Sequence, residues 1–129
     1  GRKWISYKGN LFVSFFYCLQ NINLSIKQLT ILNCLMVKKL ILIYNKKKLP
    51  IKNLTIYSSK KKKICGILQE TLFYKNNKYA IIGVGINIDN SPNITDYPTS
   101  YLNQFTKKKI TSFQICNEIK NNFEIYLKN

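Results

Sequence analysis

Apolar positions recur along this chain with two different periods, and the change from one to the other divides it into elements. The Gly9-Asn10 turn signal opens a strand over Asn10 to Leu19, in which the longest apolar stretch, Leu11 to Leu19, is broken only by Ser14. That stretch reads as a buried strand. From Asn23 the spacing changes: Leu24, Ile26, Leu29, Ile31, Leu32, Leu35, Met36 and Leu40 fall mostly at helical intervals. Asn23 or Ser25 is placed to cap that helix. Lys46-Lys47-Lys48 and Pro50 mark a break. Three strand-like segments follow, Ile51 to Tyr57, Lys63 to Phe73 and Tyr79 to Ile88, with Lys75-Asn76-Asn77-Lys78 as a hairpin turn between the last two. Asp89 to Asn103, with Ser91-Pro92 and Tyr97-Pro98, reads as loop. Thr111 to Leu127 carries Ile115, Ile119, Phe123 and Tyr126 on one helical face. This mixture predicts an α/β or α+β domain, a mixed sheet with flanking helices.

Composition narrows the class. Apolar residues make up 46% of the 129 residues, which suits one globular domain burying roughly 65–70% of its unfolded surface. No run approaches the ~20 apolar residues of a membrane span. None of Cys18, Cys34, Cys65 and Cys116 forms a C-x-x-C pair and the chain has no His, which argues against a zinc site. All four cysteines sit in apolar patterns and are expected to act as small buried hydrophobes, in keeping with a reducing cytoplasm.

The formal net charge of +16 suggests nucleic acid at first. Yet of the 21 basic residues only Arg2 is an arginine, the side chain favoured for bidentate recognition of bases and phosphates. The chain is also rich in Ile, Asn, Lys, Tyr and Phe, whose codons are rich in A and T, so compositional bias accounts for the charge equally well. The expectation is no specific nucleic-acid partner and no membrane, with salt-sensitive attraction to polyanions in general.

Three segments carry candidate chemistry. They are Gly1-Arg2-Lys3-Trp4-Ile5-Ser6 with Gly9-Asn10-Leu11-Phe12-Val13-Ser14; Lys62-Lys63-Ile64-Cys65-Gly66-Ile67-Leu68-Gln69-Glu70; and Ile82-Gly83-Val84-Gly85-Ile86-Asn87-Ile88. In this order and at these separations the chain resembles the central catalytic part of biotin–protein ligases, whose fold is class II synthetase-like. The later Tyr97-Pro98-Thr99-Ser100-Tyr101-Leu102 resembles a loop of the same family. The resemblance implies ATP, Mg²⁺ and biotin as ligands, and a biotin carboxyl carrier protein or domain as partner. Biotinyl-adenylate forms first, and a carrier lysine then attacks it. Such a site must stabilise developing charge and exclude water.

The resemblance assigns Lys63 a catalytic role in contact with biotin and the phosphate region. Gly1, Arg2, Gly66, Gly83 and Gly85 fall on biotin-contacting positions, and Arg2, Trp4, Lys52 and Asn87 on nucleotide-binding ones. Physical readings run beside these. Lys63 is otherwise one of a solvated lysine run, and Gly66 a strand bulge. Gly83 and Gly85 would otherwise serve close packing, Asn87 strand termination, and Trp4 the core.

Two departures qualify the resemblance. Only Gly1-Arg2 remains of the family's glycine/arginine-rich ligand loop, so residues 1–129 are expected to form part of a catalytic domain, without its first strands or the following β-barrel domain. The Lys-Trp-Pro-Asn-Asp signature is replaced by Lys52-Asn53-Leu54-Thr55-Ile56, and isoleucine cannot ligate a hard cation. Codons for Pro-Asn-Asp-Ile, read one base later, can give Leu-Thr-Ile-Tyr, the residues at 54–57. A local frame shift and chance codon degeneracy both account for that relation. The expectation is weak or lost adenylation. An inactive remnant of the fold, a lipoate–protein ligase relative and a lysine-rich nucleic-acid-binding module stand as alternatives. A homodimer through a sheet edge is also compatible with the sequence.

Overall fold

A computed structural model describes residues 5–44, 64–94, 99–104 and 106–128. Its elements run β1 (Leu11–Cys18), α1 (Ile26–Tyr44), β2 (Cys65–Tyr74), β3 (Asn77–Ile86), a short 3₁₀ turn (Leu102–Gln104) and α2 (Ser112–Lys128). The strands form an antiparallel sheet in the order β1-β3-β2, so β3 lies in the middle. A mixed sheet was expected; the described strands pair only antiparallel. The expected strand Ile51 to Tyr57 falls outside the described residues.

Both helices begin with reciprocal side-chain caps. At α1 the Gln28 N–H donates to Ser25 Oγ at 3.1 Å while the Ser25 N–H donates to Gln28 Oε1 at 2.8 Å, which selects Ser25 over Asn23 as the cap. At α2, Thr111 and Gln114 repeat the arrangement at 3.0 and 3.3 Å. Between β2 and β3 the turn is tighter than its sequence suggests. Lys75 and Asn76 alone form it, with φ of 49° and 64°, the two left-handed residues of a type I′ hairpin. Asn77 and Lys78 already pair with Tyr74 and Phe73.

One face of the sheet makes the core. Phe15, Ala80, Ile82, Val84, Ile86 and Cys65 bury against Leu29, Met36, Val37, Leu40 and Ile41 of α1 and Ile115, Ile119 and Phe123 of α2. Phe123 meets Phe15 and Tyr17 edge-on, at centroid distances of 5.2 and 5.7 Å. A buried amide ties α1 to β2: Asn33 Nδ2 donates to Gln69 Oε1 at 2.6 Å, and Gln69 Nε2 reaches the Ile26 carbonyl at 3.4 Å. Tyr44 at the end of α1 donates to Glu118 of α2. Burial, then that bond and the charge of Glu118, push the Tyr44 phenol up to about 12. Burial, then the charge of Glu124, does the same to Tyr17.

Three expectations need correction. Strand β1 is half-buried rather than buried: Leu11 and Phe15 face the core, while Phe12 and Phe16 are 66% and 58% exposed. Strand alternation places every second side chain on the open face whatever its hydrophobicity. For the same reason Cys18 is exposed; among the cysteines only Cys65 is fully buried. In α1 the apolar set is wider than the core-facing stripe, so Ile26, Ile31 and Leu35 stand exposed, as does Leu24 just before the helix.

Candidate functional site

The face of the sheet turned away from the helices carries the glycines. On β3, Ile82, Val84 and Ile86 point into the core, so Gly83 and Gly85 between them face the other way. Register adds the rest. Gly85 pairs with Gly66 on β2 and Phe12 on β1, and Gly83 pairs with Leu68 and Ser14. Gly66 of β2 and the alternate residues Gly83 and Gly85 of β3 thus form one patch without side chains. Directly paired residues lie about 5 Å apart and alternate residues of a strand about 7 Å apart. Exposed Phe12 and Leu68 flank the patch, and farther along Phe16 stacks on Tyr79 at 4.9 Å.

Gly83 is not glycine because its neighbours crowd it. A Cβ there would lie 3.7 Å from the Leu68 carbonyl oxygen, 3.8 Å from Leu68 Cβ and 3.9 Å from Ser14 Oγ, all ordinary contacts. Its φ is not in the left-handed region either. Neither close packing within the fold nor backbone strain requires the missing side chain. What the absence provides is a flat floor that a planar ligand can approach closely.

At the Asn87 end of β3 a polar knot joins three loops. Asn10 Oδ1 accepts from the N–H groups of Ile88, Asp89 and Asn90 at 2.9, 2.9 and 3.2 Å, and its Nδ2 donates to the Asn90 carbonyl at 2.8 Å. Asn87 is buried: its Nδ2 donates to the Ser100 carbonyl at 3.2 Å and its Oδ1 accepts from Asn10 at 3.4 Å. Its backbone pairs with Ile64 O on one side and Leu102 N on the other. Asn103 Nδ2 donates to Asp89 Oδ1 and the Ile110 carbonyl, and its own Oδ1 accepts from Ile110 N–H at 2.8 Å. Gly9 completes the knot with φ of +91°, and a Cβ there would lie 2.4 Å from Asp89 Oδ2.

Of the residues assigned from sequence, the fold brings together Gly66, Gly83 and Gly85 and places Asn87 just past them. Each end of the Asn87 amide has a hydrogen-bond partner within the protein, and its burial leaves little room for a nucleotide to reach it. Gly1, Arg2, Trp4, Lys52 and Lys63 lie outside the described residues. Asn10, Asp89, Ser100 and Asn103 were not singled out. The sequence marks Gly9-Asn10 only as a turn, and nothing local announces that the Asn10 side chain seats a loop some eighty residues on. Among the described residues no group of three or more His, Cys, Asp or Glu could hold a metal ion, and no helix is long and apolar enough to cross a membrane.

Solved structures to which this chain is similar in fold include biotin protein ligases. The Aquifex aeolicus ligase in complex with biotin and ATP matches 99% of this chain and 54% of its own length, with a TM-score of 0.72 and 23% identity. The Leishmania major ligase in complex with biotinyl-5-AMP matches 99% of this chain and 58% of its own, with a TM-score of 0.73 and 23% identity. The same ligase with biotin gives 97% and 57%, a TM-score of 0.71 and 24% identity. This chain therefore spans just over half the length of the ligases it matches. No protein-family model matches the chain, and no curated protein does. The fold is that of a biotin protein ligase catalytic domain, in its α+β layout of a small antiparallel sheet backed by two helices.

Proposed function

We propose that this chain is the catalytic-domain part of an ATP-dependent biotin–protein ligase and that the glycine face is the floor of its biotin site. The observation that carries this reading is the register that puts Gly66 against Gly85, with Gly83 alongside, on the sheet face turned away from the helices. The chemistry has two steps. A biotin carboxylate oxygen attacks the α-phosphorus of ATP and pyrophosphate leaves. The neutral amine of a carrier lysine then attacks the acyl carbon, forming an amide and releasing AMP.

Each residue has a physical role in that sequence. Gly66, Gly83 and Gly85 let the flat bicyclic ring lie against backbone. Lys63, just ahead of β2, and Arg2 supply cations toward the carboxylate and phosphate, where preorganised charge contributes most. Trp4 offers a stacking face to adenine, and Lys52 and Asn87 complete the nucleotide contacts. A divalent ion fits poorly. The positions at which the family resemblance expects Asn and Asp hold Thr55 and Ile56, so no step is assigned to Mg²⁺. Adenylation by this chain is accordingly weak, and Ile56 also favours a second reading, a remnant that keeps the fold without turnover. The setting proposed is cytoplasmic, with a biotin carboxyl carrier domain as acceptor.

Calorimetric titration with biotin, then with ATP and Mg²⁺ added, tests this. Saturable biotin binding that tightens with nucleotide is expected. No heat from a chain shown to be folded would leave the remnant reading.

A further inference from the structure

The knot at the Asn87 end of β3 is ringed by lysines, of which only Lys109 meets a described acid. Lys107, Lys108 and Lys109 are exposed in the connection between the 3₁₀ turn and α2, and Lys8 is exposed in the turn before Gly9. Asp89 ties the two stretches to one place: a Cβ on Gly9 would press on its carboxylate, and Lys109 Nζ stands 4.0 Å from its Oδ2. That carboxylate is shared with the Asn103 amide. Among the described residues no acidic group lies within ion-pairing distance of Lys8, Lys107 or Lys108. Asp89 follows Gly85 by four residues, so the cluster begins no more than about 14 Å of chain from the glycine floor.

With 21 basic residues and five acidic ones most lysines must stand unpaired. What singles these four out is that Gly9 and Lys109 both meet Asp89, which gathers them at one end of the strand that carries the floor. The geometry points to this cluster as the docking surface for an acidic face of the acceptor protein, holding it while its target lysine reaches the site. This inference rests on the ligase reading. An acceptor brings a cationic lysine toward a cationic rim, and the repulsion must be offset by carboxylates elsewhere on its surface. Charges around a rim mainly set the association rate and its salt dependence. Lysine suits such transient contact better than bidentate clamping.

The test uses the full chain, an unbiotinylated carrier domain with an acidic surface, and surface-plasmon binding at several salt concentrations. K107E/K108E is compared with K39E/K120E, which makes the same charge change at exposed positions on α1 and α2. Loss of tenfold or more in carrier affinity for the first pair, with less than threefold for the second, is expected. The salt dependence should flatten in the first pair only. Equal losses in both pairs would reduce the effect to net charge and overturn the proposal, as would no loss or no carrier binding at all. A 20-base-pair DNA duplex that displaces the carrier and binds more tightly would also overturn it, marking a polyanion site instead. Biotin calorimetry on the unmutated chain keeps the two readings apart. Lysine-dependent carrier binding without biotin binding would retain the surface and remove the ligase assignment. Biotin binding with a carrier indifferent to Lys107 and Lys108 would do the reverse.

Discussion

Gly83→Ala separates a glycine kept for a ligand from one kept for packing. A new methyl at 83 would meet Leu68 and Ser14 at 3.7–3.9 Å, so the folded chain accommodates it without moving. Alanine also has fewer unfolded conformations than glycine, and at a compatible backbone position this exchange stabilises by about 0.4–1 kcal/mol. The melting temperature should therefore hold or rise by a few degrees. Binding should respond in the opposite direction. A planar ring resting on the Gly83 backbone would be lifted by the width of a methyl, and overpacking of this kind costs about 1–3 kcal/mol. That corresponds to roughly 5- to 150-fold weaker binding. Thermal unfolding and biotin calorimetry on the same preparations measure the two effects. A melting temperature several degrees lower would show that position 83 is glycine for packing. Unchanged biotin affinity beside an intact fold would show that the ligand does not lie on this face.

Gly9→Ala should behave differently, because φ there is +91° and the added Cβ would overlap Asp89; a loss of about 2 kcal/mol is expected, read as a lower melting temperature. Asn10→Ala leaves three backbone N–H groups at 88–90 without their shared acceptor, and should cost about 1–3 kcal/mol and raise amide exchange in that loop. Tyr17 and Tyr44 have folded-state values raised to about 12 from 10, so the stability they confer is complete below about pH 10 and is lost as pH rises toward 12. Alkaline unfolding followed by circular dichroism checks this, and Tyr44→Phe should weaken the pH dependence of stability between about pH 10 and 12. At the gene level, resequencing across codons 45–63 should reveal homopolymer ambiguity if residues 54–57 arose by a frame shift; an unambiguous single frame, with no such relation in near relatives, would refute that origin.

Much of the architecture could be read from local pattern. Period-two and helical spacing located β1, α1, β3 and α2 to within a few residues, because each needs an apolar face and the chain shows where that face recurs. The sequence left Asn23 and Ser25 both open as the cap of α1, and the reciprocal bonds of Ser25 with Gln28 and of Thr111 with Gln114 show where the helices start. The sequence also held the glycines and their resemblance to a ligand floor. It could not show that Gly66 sits directly across from Gly85, because register depends on how two strands pair and not on either strand alone. It could not separate Phe15, which is buried, from Phe16, which is not; both are equally apolar, and only the helices packed on one side tell them apart. The Asn10 side chain is the clearest case. Its neighbours mark a turn, and its partners at 88–90 come within reach only after β1 and β3 have paired along their length. Short-range chemistry set the elements, while contacts between distant segments decided which face stayed open and what gathered at its end.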